Sequence, residues 1–174
     1  MTDSKKEIER RLSVLQGLQL SGVNRAADML TLAFGAQRPV TNFRGVVKHV
    51  GEWALHIQSA WRLEQMGRVA ATEVDLRRGD DEARATVHRL QRLLLEPDFP
   101  IVESVTANEA GGVSLSLSGD LNLTVVPDAV EEDEDWRFFA SGVGRRTWSS
   151  KVARLLQSLL AEEKASMSSS PTAL

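Results

Sequence analysis

The run from Trp53 to Leu63, WALHIQSAWRL, constrains the fold of this chain more than any other stretch. Its apolar side chains fall on alternate positions, interrupted only by Ser59, and small or polar side chains occupy the positions between them. This alternation is typical of a half-buried β-strand, because successive side chains leave opposite faces of the pleat. Two tryptophans lie on the apolar face. The run therefore predicts the central strand of an antiparallel sheet.

Similar alternation predicts further strands on both sides of this run. Apolar side chains recur at every second position, and turn-forming residues stand between most of these segments. The predicted strands are 27–34, 69–76, 101–107, 113–117, 121–125 and 136–140. Residues 18–24 fit either a short strand or a connector, 36–45 a loop or an edge excursion, and 46–50 an addition to the central run. Gln65-Met66-Gly67-Arg68 predicts a hairpin turn with a positive φ at Gly67.

Helical spacing of apolar residues marks three other stretches. Residues 4–16 and 82–95 carry apolar side chains three and four positions apart, with charged side chains on the remaining faces. A third stripe lies at 152–160, and Thr147 or Ser149 is placed to cap the helix that it predicts. The sequence therefore predicts three helices.

These elements together predict the fold class and the extent of the domain. We expect an α+β fold in which three helices pack on one face of an antiparallel sheet of about six strands. Residues 1–163 are predicted to form a single domain. The tail at 164–174 is Ser-rich and poor in bulky side chains, so it is predicted to be disordered.

Composition excludes several classes of function. The 174 residues include no cysteine, which removes disulfides, thiol catalysis and cysteine-based metal sites. A net charge of −3 gives no excess of Lys and Arg for binding nucleic acid. No apolar run approaches the length of a membrane span. No secretory leader is recognisable at the start of the sequence. We therefore predict a cytoplasmic protein with neither a nucleic-acid nor a membrane partner.

The polar side of the central run supplies the first candidate site. Residues two apart on a strand share a face, so His56, Gln58 and Arg62 are predicted to project together. Asp75 joins them if the register of the neighbouring strand allows it. Such a group suits an anionic ligand or modest acid–base chemistry. The alternative is a solvated sheet face with ordinary cross-strand ion pairs.

An acidic segment supplies the second candidate site. Its carboxylates follow Asp128 and are Glu131, Glu132, Asp133, Glu134 and Asp135. A surface of this charge suits docking of a basic protein, because complementary fields speed the encounter of two proteins. The alternative is a loop whose charges are simply solvated.

No motif predicts catalysis, a metal or a cofactor. The three histidines, His49, His56 and His88, lack the spacing of known metal sites, and no nucleophile elbow is present. The glycines at 142 and 144 precede two arginines but match neither a dinucleotide fingerprint nor a phosphate-binding P-loop. We therefore predict no catalytic residue, no metal and no cofactor.

Several short motifs resemble a group of uncharacterised bacterial proteins, mainly actinobacterial. The motifs are GEWALHIQ at 51–58, AWRL at 60–63, ADML at 27–30 with Phe34-Gly35, and WRF at 136–138. The resemblance covers roughly residues 18 to 140 and is carried by the patterns ALHxQxxWR and WR-hydrophobic. It implies no activity and no catalytic residue. On a strand, each Trp-Arg pair places the tryptophan in the core and the arginine on the solvated face.

Two functions follow from these features. The first is a protein-interaction module without enzymatic activity, such as an antitoxin-like immunity factor that binds a basic partner. The alternative is a protein that binds a small molecule or an anionic ligand, or an enzyme, on the polar face of the central run. The first requires the acidic segment to be a docking surface, and the second requires a concave pocket at His56.

Overall fold

Two five-stranded antiparallel sheets and a separate two-stranded hairpin form the framework of the computed structural model, which describes residues 4–96, 98–128, 133–141 and 147–149. The helices are α1 (Ser4–Leu12), α2 (Val74–Arg77) and α3 (Asp80–Leu95). The strands are β1 (Leu20–Ala26), β2 (Met29–Phe34), β3 (Arg38–Thr41), β4 (Val47–Val50), β5 (Trp53–Ile57), β6 (Ala60–Gln65), β7 (Arg68–Thr72), β8 (Val102–Ala107), β9 (Val113–Leu117), β10 (Leu121–Val126), β11 (Trp136–Ala140) and β12 (Trp148–Ser149). The predicted α+β class with antiparallel pairing is confirmed.

The strands are divided between two layers. Sheet A has the order β1-β2-β5-β11-β12, and sheet B has the order β7-β6-β10-β9-β8. Among the strands that the structure describes, β3 and β4 pair only with each other. Each large sheet has one apolar face, and the two apolar faces share one core with α3. The side chains at the centre of this core are Leu30, Leu32 and Phe34 of sheet A, Trp61, Leu63, Leu115 and Leu123 of sheet B, and Leu90 and Leu94 of α3.

The prediction of one continuous central strand is wrong. The run divides into β5 and β6, which belong to different sheets. The division lies at Gln58 and Ser59, whose backbone N–H groups both donate to the carbonyl of Asp135, at 2.8 and 3.1 Å. These two hydrogen bonds end the pairing of β5 in sheet A, and β6 then pairs with β10. The apolar parity continues across the division, since Ser59 is as buried as Trp61.

The prediction that the helices cover one face of a single sheet is also wrong. The helices contact edge strands: α3 lies beside β1, α1 beside β8, and α2 follows β7. The Gln91 amide of α3 donates to the carbonyl of Val23 at 2.8 Å, and the Glu9 carboxylate of α1 accepts from the N–H of Ala107 at 3.0 Å. The apolar stripes of α1 and α3 join the core from these edges, beside the apolar faces that the two sheets turn toward each other. The predicted count of about six strands is low, because the central run forms two strands and the segments left open at 18–24, 36–45 and 46–50 form β1, β3 and β4.

Three boundaries differ from the prediction for local reasons. The strand predicted over 69–76 ends at Thr72, because the Asp75 carboxylate accepts from the Thr72 N–H at 2.9 Å as the chain turns into α2. Residues 36–45 contain the strand β3. Strand β4 does not extend the central run, because Gly51 separates it from β5. A residue with a side chain does not fit at position 51, because its Cβ atom would lie 2.6 Å from the carbonyl oxygen of Phe34.

Other predicted elements are confirmed. Helices α1 and α3 match the predicted stretches, and their apolar stripes are buried. The turn between β6 and β7 has the expected positive φ of 73° at Gly67. The predicted helix at 152–160 and the predicted tail at 164–174 lie outside the described residues.

Substitution of Asp135 tests whether the buried carboxylate next to the crossing at Gln58 and Ser59 stabilises the fold. Asp135 is 2% exposed, and its Oδ1 accepts from the Asp128 N–H at 2.7 Å. We expect Asp135→Ala to lower the free energy of unfolding by about 0.5–1.5 kcal/mol, because the partly buried backbone N–H of Asp128 loses its acceptor. Asp98→Ala, at an exposed position before β8, is the control and should change it by less than about 0.5 kcal/mol. Urea denaturation measures both values. Equal effects of the two substitutions would contradict this role.

Candidate functional site

The outer face of sheet A carries two transverse rows of side chains, as the strand registers show. The small-residue row consists of Gly22, Ala33, Ala54 and, at its end, Phe139. The polar row lies beside it and consists of Asn24, Thr31, His56 and Arg137. Each row crosses β1, β2, β5 and β11 in that order. The concave part of the molecule lies where these rows face the hairpin.

The β3–β4 hairpin and the outer face of sheet A enclose a cavity of about 430 Å³. Most of both rows lines the cavity, and the hairpin contributes Val40, His49 and Val50. The remaining lining residues are Leu32, Gly51 and Ser141. The cavity is partly open to solvent, so a ligand can enter without unfolding of the sheet.

The cavity exists because small residues occupy the positions under the hairpin. These residues form the floor of the cavity, which is the part of the outer face of sheet A under the hairpin. Glycine is favoured at position 22, because a Cβ atom there would lie 3.1 Å from the Cβ atom of Ala33. The hairpin is held at its base, where the Gln37 amide donates to the carbonyl of Ser21 at 2.6 Å and the Ala36 N–H donates to Glu52 at 3.3 Å. The sheet therefore bounds the cavity on one side, and the hairpin, which is hydrogen-bonded at its base, bounds it on the other.

His56 is the titratable side chain at the centre of the polar row. Its ring meets the ring of Phe139 edge to face, with centroids 4.9 Å apart and an interplanar angle of 85°. Burial lowers the pKa of His56, and the positive charge of Arg137 on the neighbouring strand lowers it further. The imidazole is therefore neutral near pH 7 and can both donate and accept a hydrogen bond.

The lining combines apolar surface with polar groups. Asn24, Thr31, His49, His56 and Ser141 supply donors and acceptors, and none of the described residues that line the cavity is acidic. Among the described residues, no group of three or more His, Asp or Glu side chains is arranged to hold a metal ion. Such a surface suits the binding of an organic molecule by contact and hydrogen bonding.

The four residues predicted as one ligand site lie in separate places. His56 lines the cavity, and Gln58 lies at the crossing between the sheets. Arg62 lies on the outer face of sheet B, where its Nε is 3.4 Å from Glu64. Asp75 lies on α2 and is 3.8 Å from Arg89. The division of the central run separates His56 from Arg62, because the outer faces of the two packed sheets point in opposite directions.

The described part of the acidic segment has structural contacts. Asp135 is buried, and Glu134 accepts from Arg137 Nε at 2.9 Å. Asp133 is exposed. Glu131 and Glu132 lie outside the described residues. Binding of a basic partner by this segment stays a prediction, and Asp135 cannot contact such a partner from its buried position.

Sequence reasoning missed the residues that make the cavity. Ala33 and Ala54 occupy the polar parity of their strands, where a solvated face would carry larger polar side chains. Gly35 and Gly51 flank the segment that becomes the hairpin. The signal that could have found the site was the coincidence of small residues on the outer face with an excursion of the chain between two glycines.

Comparison of this chain with protein-family models, with curated proteins and with solved structures finds no match. The resemblance drawn from the short motifs stays a prediction. The orientation expected for the Trp-Arg pairs is confirmed, since Trp61 and Trp136 are buried whereas Arg62 and Arg137 are exposed. Among the described residues, no helix combines the length and the apolar character that crossing a membrane requires.

His56 predicts a pH dependence of stability. Its pKa is lower in the folded chain than in the unfolded chain, so the unfolded chain binds the proton more tightly. The free energy of unfolding should therefore fall as the pH drops below the unfolded pKa of about 6.5. His56→Gln should reduce this fall between about pH 7 and about pH 5, as measured by urea denaturation at each pH. His88→Gln, at an exposed position of α3, controls for the loss of a histidine, and an unchanged slope in His56→Gln would refute the prediction.

Proposed function

We propose that this chain binds a small organic molecule in the cavity between the outer face of sheet A and the β3–β4 hairpin. The observation that carries the proposal is the cavity itself. Its volume of about 430 Å³ lies within the range of about 300–1,000 Å³ that small-molecule sites occupy. Of the sites predicted from the sequence, the ligand-binding alternative is the one that required a concave surface at His56.

The hairpin supports the proposal because it has no role in the core. Every side chain of β3 is exposed, and β4 is exposed except for the half-buried Val50. Val46 and Val47 remain 51% and 56% exposed. Exposure of apolar side chains costs free energy that a purely structural hairpin would avoid by packing them. A hairpin that covers a concave surface and leaves its own apolar side chains exposed is well suited to enclose a ligand.

The floor indicates the form of the ligand. The small-residue row gives a flat apolar strip that ends at the ring of Phe139, and the polar row runs parallel to it. A ring or chain can lie along the apolar strip while a polar group reaches the neutral imidazole of His56. The proposal concerns binding, since no described acidic side chain lines the cavity to act with His56 as a catalytic pair.

The second candidate is the protein-interaction module predicted from the acidic segment. The observation in its favour is the exposure of Asp133 in a segment that continues into Glu131 and Glu132. The contacts of Glu134 and Asp135 reduce the number of carboxylates that can face a partner. We therefore place this function second.

Filling the cavity tests the proposal. Ala54→Leu places a larger side chain on the floor, so binding of the apolar dye N-phenyl-1-naphthylamine should weaken by about tenfold or more, equivalent to about 1.4 kcal/mol. Fluorescence titration measures the affinity. Thr124→Leu, on the outer face of sheet B, is the matched control and should leave the affinity unchanged.

A second cavity-filling substitution, at another position, ensures that the test does not depend on Ala54→Leu alone. Thr31→Leu enlarges a half-buried side chain that lines the same cavity from β2 and should also weaken dye binding. Circular dichroism establishes that each variant folds. Dye binding that persists in both folded variants would show that the dye binds elsewhere, and the proposed function would then be wrong.

A further inference from the structure

The register of the hairpin shows which of its side chains share the face above the cavity. Arg38 lies opposite Val50, and Val40 lies opposite Lys48. Residues directly opposite each other project to the same side, and so do residues two apart along a strand. The four side chains therefore share one face. Val40 and Val50 line the cavity, as does His49 from the other parity of β4, whereas Arg38 and Lys48 lie beside the two valines on their shared face.

Arg38 and Lys48 each lie directly opposite one of the two valines and diagonal to each other. Side chains that face each other across an antiparallel pair have Cβ atoms about 4.5–5.5 Å apart. Each cation is thus a direct neighbour of a residue that lines the cavity. Both side chains are exposed. Arginine and lysine side chains are long enough to reach a ligand that projects from the cavity at this distance.

The charges of Arg38 and Lys48 are not neutralised by a described carboxylate. Neither side chain forms an ion pair or a hydrogen bond with another side chain in the part of the chain that the structure describes. Residues 36–51, which include the whole hairpin, contain no Asp or Glu. Arg137, in the polar row below, already contacts Glu134. The nearest carboxylate to the hairpin along the chain is Glu52, which accepts from the Ala36 N–H at the base of the hairpin and forms no ion pair with Arg38 or Lys48 among the described residues. The charges of the two cations are therefore available to a ligand.

We propose that the ligand of this cavity is an amphipathic anion. Its apolar ring or chain lies on the small-residue row, and its carboxylate, sulfonate or phosphate group lies between Arg38 and Lys48. The inference rests on the proposed function and adds the chemical class of the ligand. An anion at this position gains attraction from two cations. Overall the chain is acidic, with a net charge of −3, so the hairpin is a local exception to its charge.

A matched pair of dyes separates the anionic contribution from the apolar one. The dye 8-anilinonaphthalene-1-sulfonate has the rings of N-phenyl-1-naphthylamine and an added sulfonate. Affinities of both dyes are measured by fluorescence titration for the wild type and for the double variant Arg38→Gln/Lys48→Gln. We expect the double variant to weaken sulfonate binding by about tenfold, since each exposed ion pair contributes a few-fold. Binding of the uncharged dye should not change.

The control for net charge is Lys6→Gln/Arg68→Gln. It removes two exposed cations from α1, which contacts β8, and from β7, so both lie at the edges of sheet B. This variant should bind both dyes as the wild type does. Added salt should weaken binding of the sulfonate to the wild type and have little effect on the Arg38→Gln/Lys48→Gln variant, because screening acts on the ion pairs alone.

The outcomes distinguish this inference from the proposed function. If Ala54→Leu abolishes binding of both dyes but the Arg38 and Lys48 substitutions change neither affinity, the cavity binds ligands and the inference about anions is wrong. If Ala54→Leu leaves binding of both dyes intact, the proposed function fails and the inference fails with it. Selective loss of the sulfonate in the hairpin variant alone, with loss of both dyes in Ala54→Leu, is the result that the inference predicts.

Discussion

The crossing of the chain between its two sheets at Gln58 and Ser59 is the constraint on which the rest of the structure depends. The carbonyl of Asp135 accepts hydrogen bonds from both backbone N–H groups there, which ties the crossing to the start of β11. The apolar parity does not change across it, so Ile57 and Trp61 enter the same core from opposite layers. A one-residue slip at this point would turn the apolar face of one sheet toward solvent.

The crossing also determines where a ligand site can exist. Because the two apolar faces cover each other, the outer faces of both sheets are available for other roles. On sheet B that face carries side chains such as Arg62 and Thr124, which are ordinary for a solvated surface. On sheet A it carries Ala33 and Ala54, and the hairpin encloses space above them. The difference between the two outer faces is the physical basis for placing function on sheet A.

Local patterns predicted much of the fold because they report on single elements. The burial of Val113, Leu115 and Leu117 follows from strict alternation, and the buried stripe of α3 follows from helical spacing. His56 lines the cavity that the ligand-binding alternative required. Gln58, Arg62 and Asp75 were grouped with it incorrectly, because that grouping assumed one continuous strand. Alternation is the same whether a strand continues or crosses to a second sheet with its parity retained.

The sequence by itself determined which side chains are apolar and on which parity they fall, and hence the antiparallel α+β class, since burial of apolar surface depends on composition and spacing. Only the tertiary structure decided that the chain forms two layers, because this depends on hydrogen bonds between residues as distant in sequence as Ser59 and Asp135. It also decided that the hairpin stands over Ala33 and Ala54. A cavity is space between elements, and no single element encodes it.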